Sequence, residues 1–188
     1  EGGLSRGNAG ESSNFLCYRA LRLNYYAVTG LLARVCLYAG QRENAFNYST
    51  EVIKASNNGI FPFVDRSLVN GTAQDPDRIF SPEVLFALSD SQRGELFEEY
   101  FDPSLAPNMV FRMESDLLEQ TIYGGTGTGG NLDDYRCRSN WSSSGSARYF
   151  YKYSDMTESG RIENTMIPLL RLGEMYLIAA ESQSDVLA

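Results

Sequence analysis

Between Leu21 and Ser56 the chain repeats apolar residues at the period of an α-helix, stops at a glycine, and starts again. Tyr25, Val28, Leu32, Val35 and Ala39 recur at spacings of three and four, which predicts one face of a first helix. Ala27, Gly30 and Ala33 put small residues on nearby faces, so another helix can approach closely. A helical glycine costs about 1 kcal/mol relative to alanine, and close packing at Gly30 is a reason to carry one. Gly40 stands where a helix C-terminus needs a left-handed residue. A second helix is predicted from Arg42 to Ser56, with Ala45, Ser49, Val52 and Ile53 as its inward stripe. Asn57, Asn58 and Gly59 then end it with residues that tolerate positive φ. So short a link makes the pair an antiparallel hairpin.

The hairpin has tetratricopeptide-type spacing. In that repeat a small residue on the first helix is followed by a glycine and then by an alanine on the second, where the two helices cross near their hinge. Ala33, Gly40 and Ala45 fall at those offsets. One such unit buries only one of its faces, so stacked neighbours are expected.

The rest of the chain is less regular. Residues 1–14 read as a loop or flexible lead-in, rich in Gly, Ser and Asn. From Ile60 to Gly160 the pattern is mostly irregular, punctuated by Pro62, Pro76, Pro82, Pro103 and Pro107. Ser81-Pro82-Glu83 resembles a helix first turn. Val84 to Leu88 is an apolar run that fits strand or helix. GGTGTGG (124–130) and SNWSSSGS (139–146) read as flexible low-complexity loops. A compact domain seldom keeps so much loop without a functional reason or a larger body for it to lie on. The last periodic segment, Ile167 to Ser184, is predicted as a helix with Pro168 at its start. Leu169, Leu172, Tyr176, Ala179 and Ala180 would face one way, and Arg171 would pair with Glu174 at i,i+3. That helix would be the first of a further hairpin. The second helix of that pair is not in the sequence, so a partial chain is the expectation.

Composition limits the chemistry. With 43% hydrophobic and 21% charged residues there is material for a packed core. No apolar run approaches the roughly 18 residues of a membrane-spanning helix. Sixteen Lys and Arg against 24 Asp and Glu give a net charge of −8, which argues against a nucleic-acid partner or an anionic lipid surface. The sequence contains no histidine, which removes Ser-His-Asp and Cys-His catalysis and most catalytic zinc sites. Cys17, Cys36 and Cys137 form no CxxC pair, and Cys36 reads as a core residue.

Several constellations invite chemical readings. Gly125, Gly127 and Gly130 match GxGxxG, yet the strand before and helix after that a dinucleotide needs are missing. Glu95, Glu98, Glu99 and Asp102 cluster, and paired carboxylates serve glycosidases when one is buried and raised in pKa. Asp133 and Asp134 offer carboxylates to calcium without the spacing of a regular loop site. No cofactor is implied. Trp141, flanked by Asn140 and Ser142 in a polar loop, can offer a flat apolar face to a sugar ring while neighbouring amides bond its hydroxyls, or it can pin its loop to the body. Tyr100, beside Phe101, and Tyr123 are further aromatic candidates. Tyr149, Tyr151 and Tyr153 alternate with Phe150 and Lys152, as in a short extended segment.

Five segments, in order, resemble the SusD/RagB family of surface nutrient-binding lipoproteins from Bacteroidetes-type bacteria. They are LNYYAVTGLLARVCLYAGQRENAFNYSTEVIKA (23–55), SPEVLFALS (81–89), Asp134-Tyr135-Arg136, Tyr151-Lys152-Tyr153 and IPLLRLGEMYLIAAES (167–182). The last is the most specific, similar to the family's P-hydrophobic-x-R-L-x-E-x-Y-L-I-x-A-E signature. The resemblance implies a mainly α fold: a SusD-like α-superhelix on tetratricopeptide-like helical hairpins with long irregular loops. Residues 1–188 would be part of a single such domain, with the hairpin at 21–56, a loop-rich glycan-facing region at 60–160 and a further helix at 167–184. The N-terminal lipoprotein segment and the C-terminal helices would be missing from it.

The resemblance also implies function. It implies a non-catalytic, lipid-anchored protein of the outer-membrane surface. Such a protein binds oligosaccharide or polysaccharide and delivers it to a TonB-dependent, SusC-like transporter. Within that reading Trp141, Tyr100, Tyr123 and Asn140 are the candidate glycan contacts. The alternatives are a tetratricopeptide-like interaction scaffold and a glycoside hydrolase using the carboxylates at 95–102.

Overall fold

A computed structural model of the chain describes residues 22–69, 75–124, 134–144, 146–157 and 160–183. Among these the helices are α1 (Tyr25–Tyr38), α2 (Arg42–Asn57), α3 (Arg66–Val69), α4 (Arg93–Tyr100), α5 (Tyr135–Asn140) and α6 (Leu172–Gln183). The strands are β1 (Val84–Ser89), β2 (Arg112–Glu114), β3 (Trp141–Ser144), β4 (Ala147–Phe150) and β5 (Met166–Arg171). Short 3-10 turns cover Ser81–Glu83 and Ile162–Thr165, and a π-helical turn covers Leu117–Ile122. The fold is mainly α, with short strands. It divides into two compact units, the first holding residues 22–63, Pro82–Ser89 and 167–183, the second Val64–Ser81 and Asp90–Met166.

In the first unit α2 packs against both α1 and α6. Asn24 starts α1: its side-chain oxygen accepts from the Ala27 N–H at 3.0 Å, and its amide donates to the Leu85 carbonyl at 3.0 Å. Thus the cap that satisfies the helix start also ties it to β1. At the other end Gly40 takes φ +72°. Its N–H donates to Leu37 and that of Gln41 to Cys36, a paired closure that uses up orphan carbonyls.

The buried face of α1 differs from the expected one. Tyr25, Val28, Leu32 and Val35 are exposed, whereas Ala27, Gly30, Ala33 and Cys36 are buried. The reason is volume. Leu85, Leu170 and Met175 already fill the space, so α1 can contribute only small side chains. A Cβ on Gly30 would lie 2.8 Å from Leu170 Cδ2 and 3.1 Å from Met175 Sδ. In α2 the buried face includes Ala45, Ser49 and Val52, with Ile53 half-buried against the same core.

The segment expected to be one helix from 167 to 184 is instead a strand and a helix. Ile167 to Arg171 lie in β5, which pairs with β1, and α6 starts only at Leu172. Pro168 biases Ile167 toward extended backbone, and a two-stranded sheet consists of edges, where a proline is tolerated. The later start also shifts the buried stripe, which is Leu172, Met175, Ile178 and Ser182, while Leu169 and Tyr176 face outward. Arg171 and Glu174 do not supply the expected pair. Glu174 receives two hydrogen bonds from Arg34, each 2.6 Å, and Arg171 lies 3.7 Å from Glu83.

The second unit covers most of the stretch expected to be irregular, yet it carries regular elements. The strand order is β2-β4-β3, antiparallel throughout, with Trp141 opposite Phe150 and Arg112 opposite Tyr149. The serine-rich 139–144 stretch, expected as loop, therefore ends α5 and forms β3. Its own side chains do not specify a strand; the aromatic partner β4 does. The tyrosine alternation is extended only through Phe150, since the chain turns at Lys152 and Tyr153. Phe80 is buried at φ +55°, a conformation costing about 1–2 kcal/mol for an L-residue. The next residue holds it there, because the Ser81 N–H and hydroxyl both donate to Asp77 Oδ2, at 2.8 and 2.7 Å.

Candidate functional site

The second unit gathers aromatic rings at β3 and β4. Trp141 packs on Phe150 at 5.1 Å between centroids and on Phe111 at 5.8 Å. Phe101 meets Phe111, Phe150 and Tyr153. Strand pairing makes this cluster, since Trp141 and Phe150 are directly opposed and reach across the ladder. Trp141 stays half-buried. Its indole N–H turns inward and finds no partner among the described residues.

The four sequence candidates fall in different surroundings. Asn140 adjoins Trp141 but is buried, its side-chain oxygen accepting from the Ser139 hydroxyl at 3.3 Å. Tyr100 closes α4, exposed, next to cluster member Phe101. A hydrogen bond to Glu99 pushes the Tyr100 phenol up. Tyr123 lies under the Arg136 guanidinium, 5.6 Å from its centroid. Arg136 also returns two hydrogen bonds to Asp134, at 3.0 and 2.6 Å, and Asp134 caps α5 through the Arg136 N–H at 2.9 Å. That guanidinium holds the Asp134 carboxyl below its ordinary range. Trp141 and Asn140 therefore come together by sequence, Tyr100 borders the ring cluster, and Tyr123 belongs to a separate arginine stack.

The carboxylates at 95–102 do not have the environment of an acid–base pair. Glu95, Glu98 and Glu99 are exposed on α4. Asp102 accepts from the Ser104 N–H at 2.7 Å, and its bonds to Ser104 push its carboxyl down, where a general acid needs the opposite. Gly125, Gly127, Gly130 and Asp133 lie outside the described residues, as does the GxGxxG reading. Burial pushes the Cys137 thiol up, away from thiolate chemistry. No group of three or more potential metal ligands occurs among the described residues.

A small cleft in the same unit, lined by both charged and apolar residues, was not foreseen. Asp77, Arg78, Arg93, Lys152, Ser154 and Glu163 contribute to its wall. Arg93, 2% exposed, donates through one terminal nitrogen to the carbonyls of Glu163 at 2.6 Å and Met166 at 3.3 Å, and through the other to Asp155 at 3.1 Å. Gly94 leaves room for that carboxylate, since a Cβ there would be 2.9 Å from Asp155 Oδ2. Arg78 lies over Tyr151 at 5.9 Å. Burial pushes its pKa down, and the nearby Arg93 charge adds to this. Asp77 Oδ1, Arg78 Nε and Arg93 Nε have no hydrogen-bond partner among the described residues. Each such buried group costs about 1–3 kcal/mol. Nothing in the sequence marks these positions: they are scattered single residues in a stretch without period, and only folding brings them to one wall.

In the first unit the charged residues of the specific segments are structural. Arg34 donates to Glu174 and, at 2.9 Å, to the Leu169 carbonyl. With Arg171 beside Glu83, ion pairs join the segments at 23–55, 81–89 and 167–182.

Comparison with known proteins gives one informative likeness. No protein-family model matches the sequence, and no curated protein matches it significantly. Among solved structures, a SusD superfamily protein from Bacteroides thetaiotaomicron superposes with a TM-score of 0.52 at 23% identity. The match covers 88% of this chain and 38% of that one. The chain thus has the fold of part of a SusD superfamily protein, and it spans under two fifths of that protein's length.

Proposed function

We propose that this chain is part of a non-catalytic glycan-binding protein of the outer-membrane surface, which passes oligosaccharide to a TonB-dependent transporter. The observation that carries the reading is the SusD-like fold over 88% of the chain, in a sequence holding five SusD/RagB-like segments in order. The ring cluster around Trp141 supports it, because a flat apolar face beside polar side chains suits a sugar ring. Trp141 is the first contact, with Tyr100, Tyr123 and Asn140 secondary; Asn140 would reach a ligand only if its buried amide turned outward. The helical hairpin would be one rung of a tetratricopeptide-like superhelix. Lipid anchoring would reside outside the described residues, none of whose helices is long and apolar enough to cross a membrane.

The test is titration of the intact protein against a panel of starch, xylan, mannan and galactan. At least one binds, and Trp141→Ala weakens it about tenfold. If none binds, the glycan reading is wrong; if one binds and the variant matches the parent, Trp141 is not the contact. One observation favours a second reading, an interaction scaffold: Val28, Leu31, Leu32 and Val35 form an exposed apolar face on α1. That reading predicts a copurifying partner protein and no response to any polysaccharide.

A further inference from the structure

Antiparallel pairing puts directly opposed residues on one side of a sheet and their chain neighbours on the other. In the β2-β4-β3 sheet Tyr149 has Arg112 opposite it on one edge strand and Ser142 opposite it on the other. These three form one row, and Glu114 joins their face two residues along β2. Phe111, Trp141 and Phe150 lie on the other face, as their mutual ring contacts show.

The two faces are in different states. On one, the rings pack on each other and the Trp141 N–H turns inward. On the other, Arg112, Glu114 and Ser142 are exposed and Tyr149 is half-buried. None of these four side chains makes a hydrogen bond, ion pair or ring contact with the described residues.

The open face holds one apolar surface, the Tyr149 ring, between polar groups of both kinds. Arg112 supplies donors, Glu114 acceptors, and Ser142 a hydroxyl that does either. Strands of 3, 4 and 4 residues span about 13 Å by about 10 Å, on the order of 130 Å². A stable protein interface takes about 800 Å² from each partner, so this face is sized for one or two sugar rings and not for another chain. Arg112 and Glu114 carry opposite charges side by side. An acidic sugar therefore gains at one and loses at the other, whereas hydroxyls of an uncharged sugar donate to Glu114 and accept from Arg112.

We infer that the Tyr149 face of this sheet is a sugar-stacking site for an uncharged glycan: one ring lies on Tyr149, Arg112 and Ser142 bond its hydroxyls from either side, and Glu114 accepts from a further hydroxyl. The site rests on the glycan reading and adds to it a contact separate from Trp141, because the two faces of one sheet hold different sugar rings.

Titration of the intact protein with starch, xylan, mannan, galactan and the acidic polygalacturonate tests it, on the parent, Tyr149→Ala, Tyr149→Phe, Arg112→Gln and Trp141→Ala. At least one uncharged polymer should bind. Tyr149→Ala should weaken that binding about tenfold, whereas Tyr149→Phe, which keeps the ring, should change it at most about twofold. Arg112→Gln should weaken it about threefold; the residue is exposed, so this variant serves if Tyr149→Ala folds poorly. The Tyr149 ring signals should also move in NMR spectra when the polymer is added. A glycan that binds Tyr149→Ala and Arg112→Gln as it binds the parent overturns the site and leaves the glycan reading standing, as does a loss confined to Trp141→Ala. Binding of polygalacturonate alone overturns the uncharged class and with it the proposed site. No response to any polymer brings down both.

Discussion

The two units are held together by different means. The first is a helical core in which α1 contributes Ala27, Gly30 and Ala33, and the bulk comes from Leu85, Leu172 and Met175. The second has short helices and strands, and its interior is braced by Arg93 on backbone carbonyls and by the rings around Phe150. Close packing leaves no space for a larger side chain at Gly30. Arginine bracing holds irregular backbone in place and leaves some buried polar atoms without a hydrogen-bond partner among the described residues. Under the proposed glycan reading the helical unit serves as the scaffold and the loop-rich unit carries the recognition chemistry.

The largest expected effect tests the close packing. Gly30→Leu should destabilise the chain by more than about 3 kcal/mol, since even a Cβ there collides with Leu170. Gly40→Ala, at positive φ but with open space around it, should cost only about 1 kcal/mol. Denaturant unfolding of both variants decides; equal losses would show that α1 is not tightly docked. Next comes the brace of the second unit. Arg93→Met leaves the Glu163 and Met166 carbonyls without their donor and should cost about 2 kcal/mol. Hydrogen exchange should rise over 93–100 and 160–166 while 25–57 stays protected. Uniform loss of protection would mean that the two units unfold as one.

A smaller effect is expected for Arg34 and Glu174. Their paired bonds are partly exposed, so a double-mutant cycle with Arg34→Ala and Glu174→Ala should give a coupling of about 1 kcal/mol. Zero coupling would reduce the pair to a surface contact. The smallest concerns pH. The Asp134 carboxyl is held low by Arg136, so its cap contribution is complete above the unfolded carboxylate value of about 3.9. It is lost as pH falls through the lower folded value. The Arg136 amide should exchange faster only in that acidic window, and Asp134→Asn should remove the pH dependence.

Local pattern and tertiary context can be separated residue by residue. Gly40 and Gly59 end α1 and α2 at positive φ, so these stops and the link were legible from the residues that make them, whereas Asn24 starts α1 through its side chain and was not read as a cap. Which face of α1 goes inward was not legible, because periodicity marks several apolar faces and only the bulk of Leu85, Leu170 and Met175 selects the small one. For the same reason Tyr176 and Leu169, apolar by type, ended outside. Pro168 was read as a helix start, although its effect on Ile167 favours the strand that β1 then completes. At the candidate site, Trp141 was legible as a rare aromatic among polar residues, but not as part of a strand.

The sequence by itself determined that this chain would build the α1–α2 helical hairpin and lack histidine chemistry, since turn preference and side-chain type act over a few residues. It also carried the ordered segments that point to a SusD-like fold. Only the tertiary structure decided the partners of Arg34 and Arg171, the strand identity of 141–144 and the meeting of Asp77, Arg78 and Arg93. Those depend on which distant groups compete for the same space and the same hydrogen bonds, and that competition is settled only when the chain closes on itself.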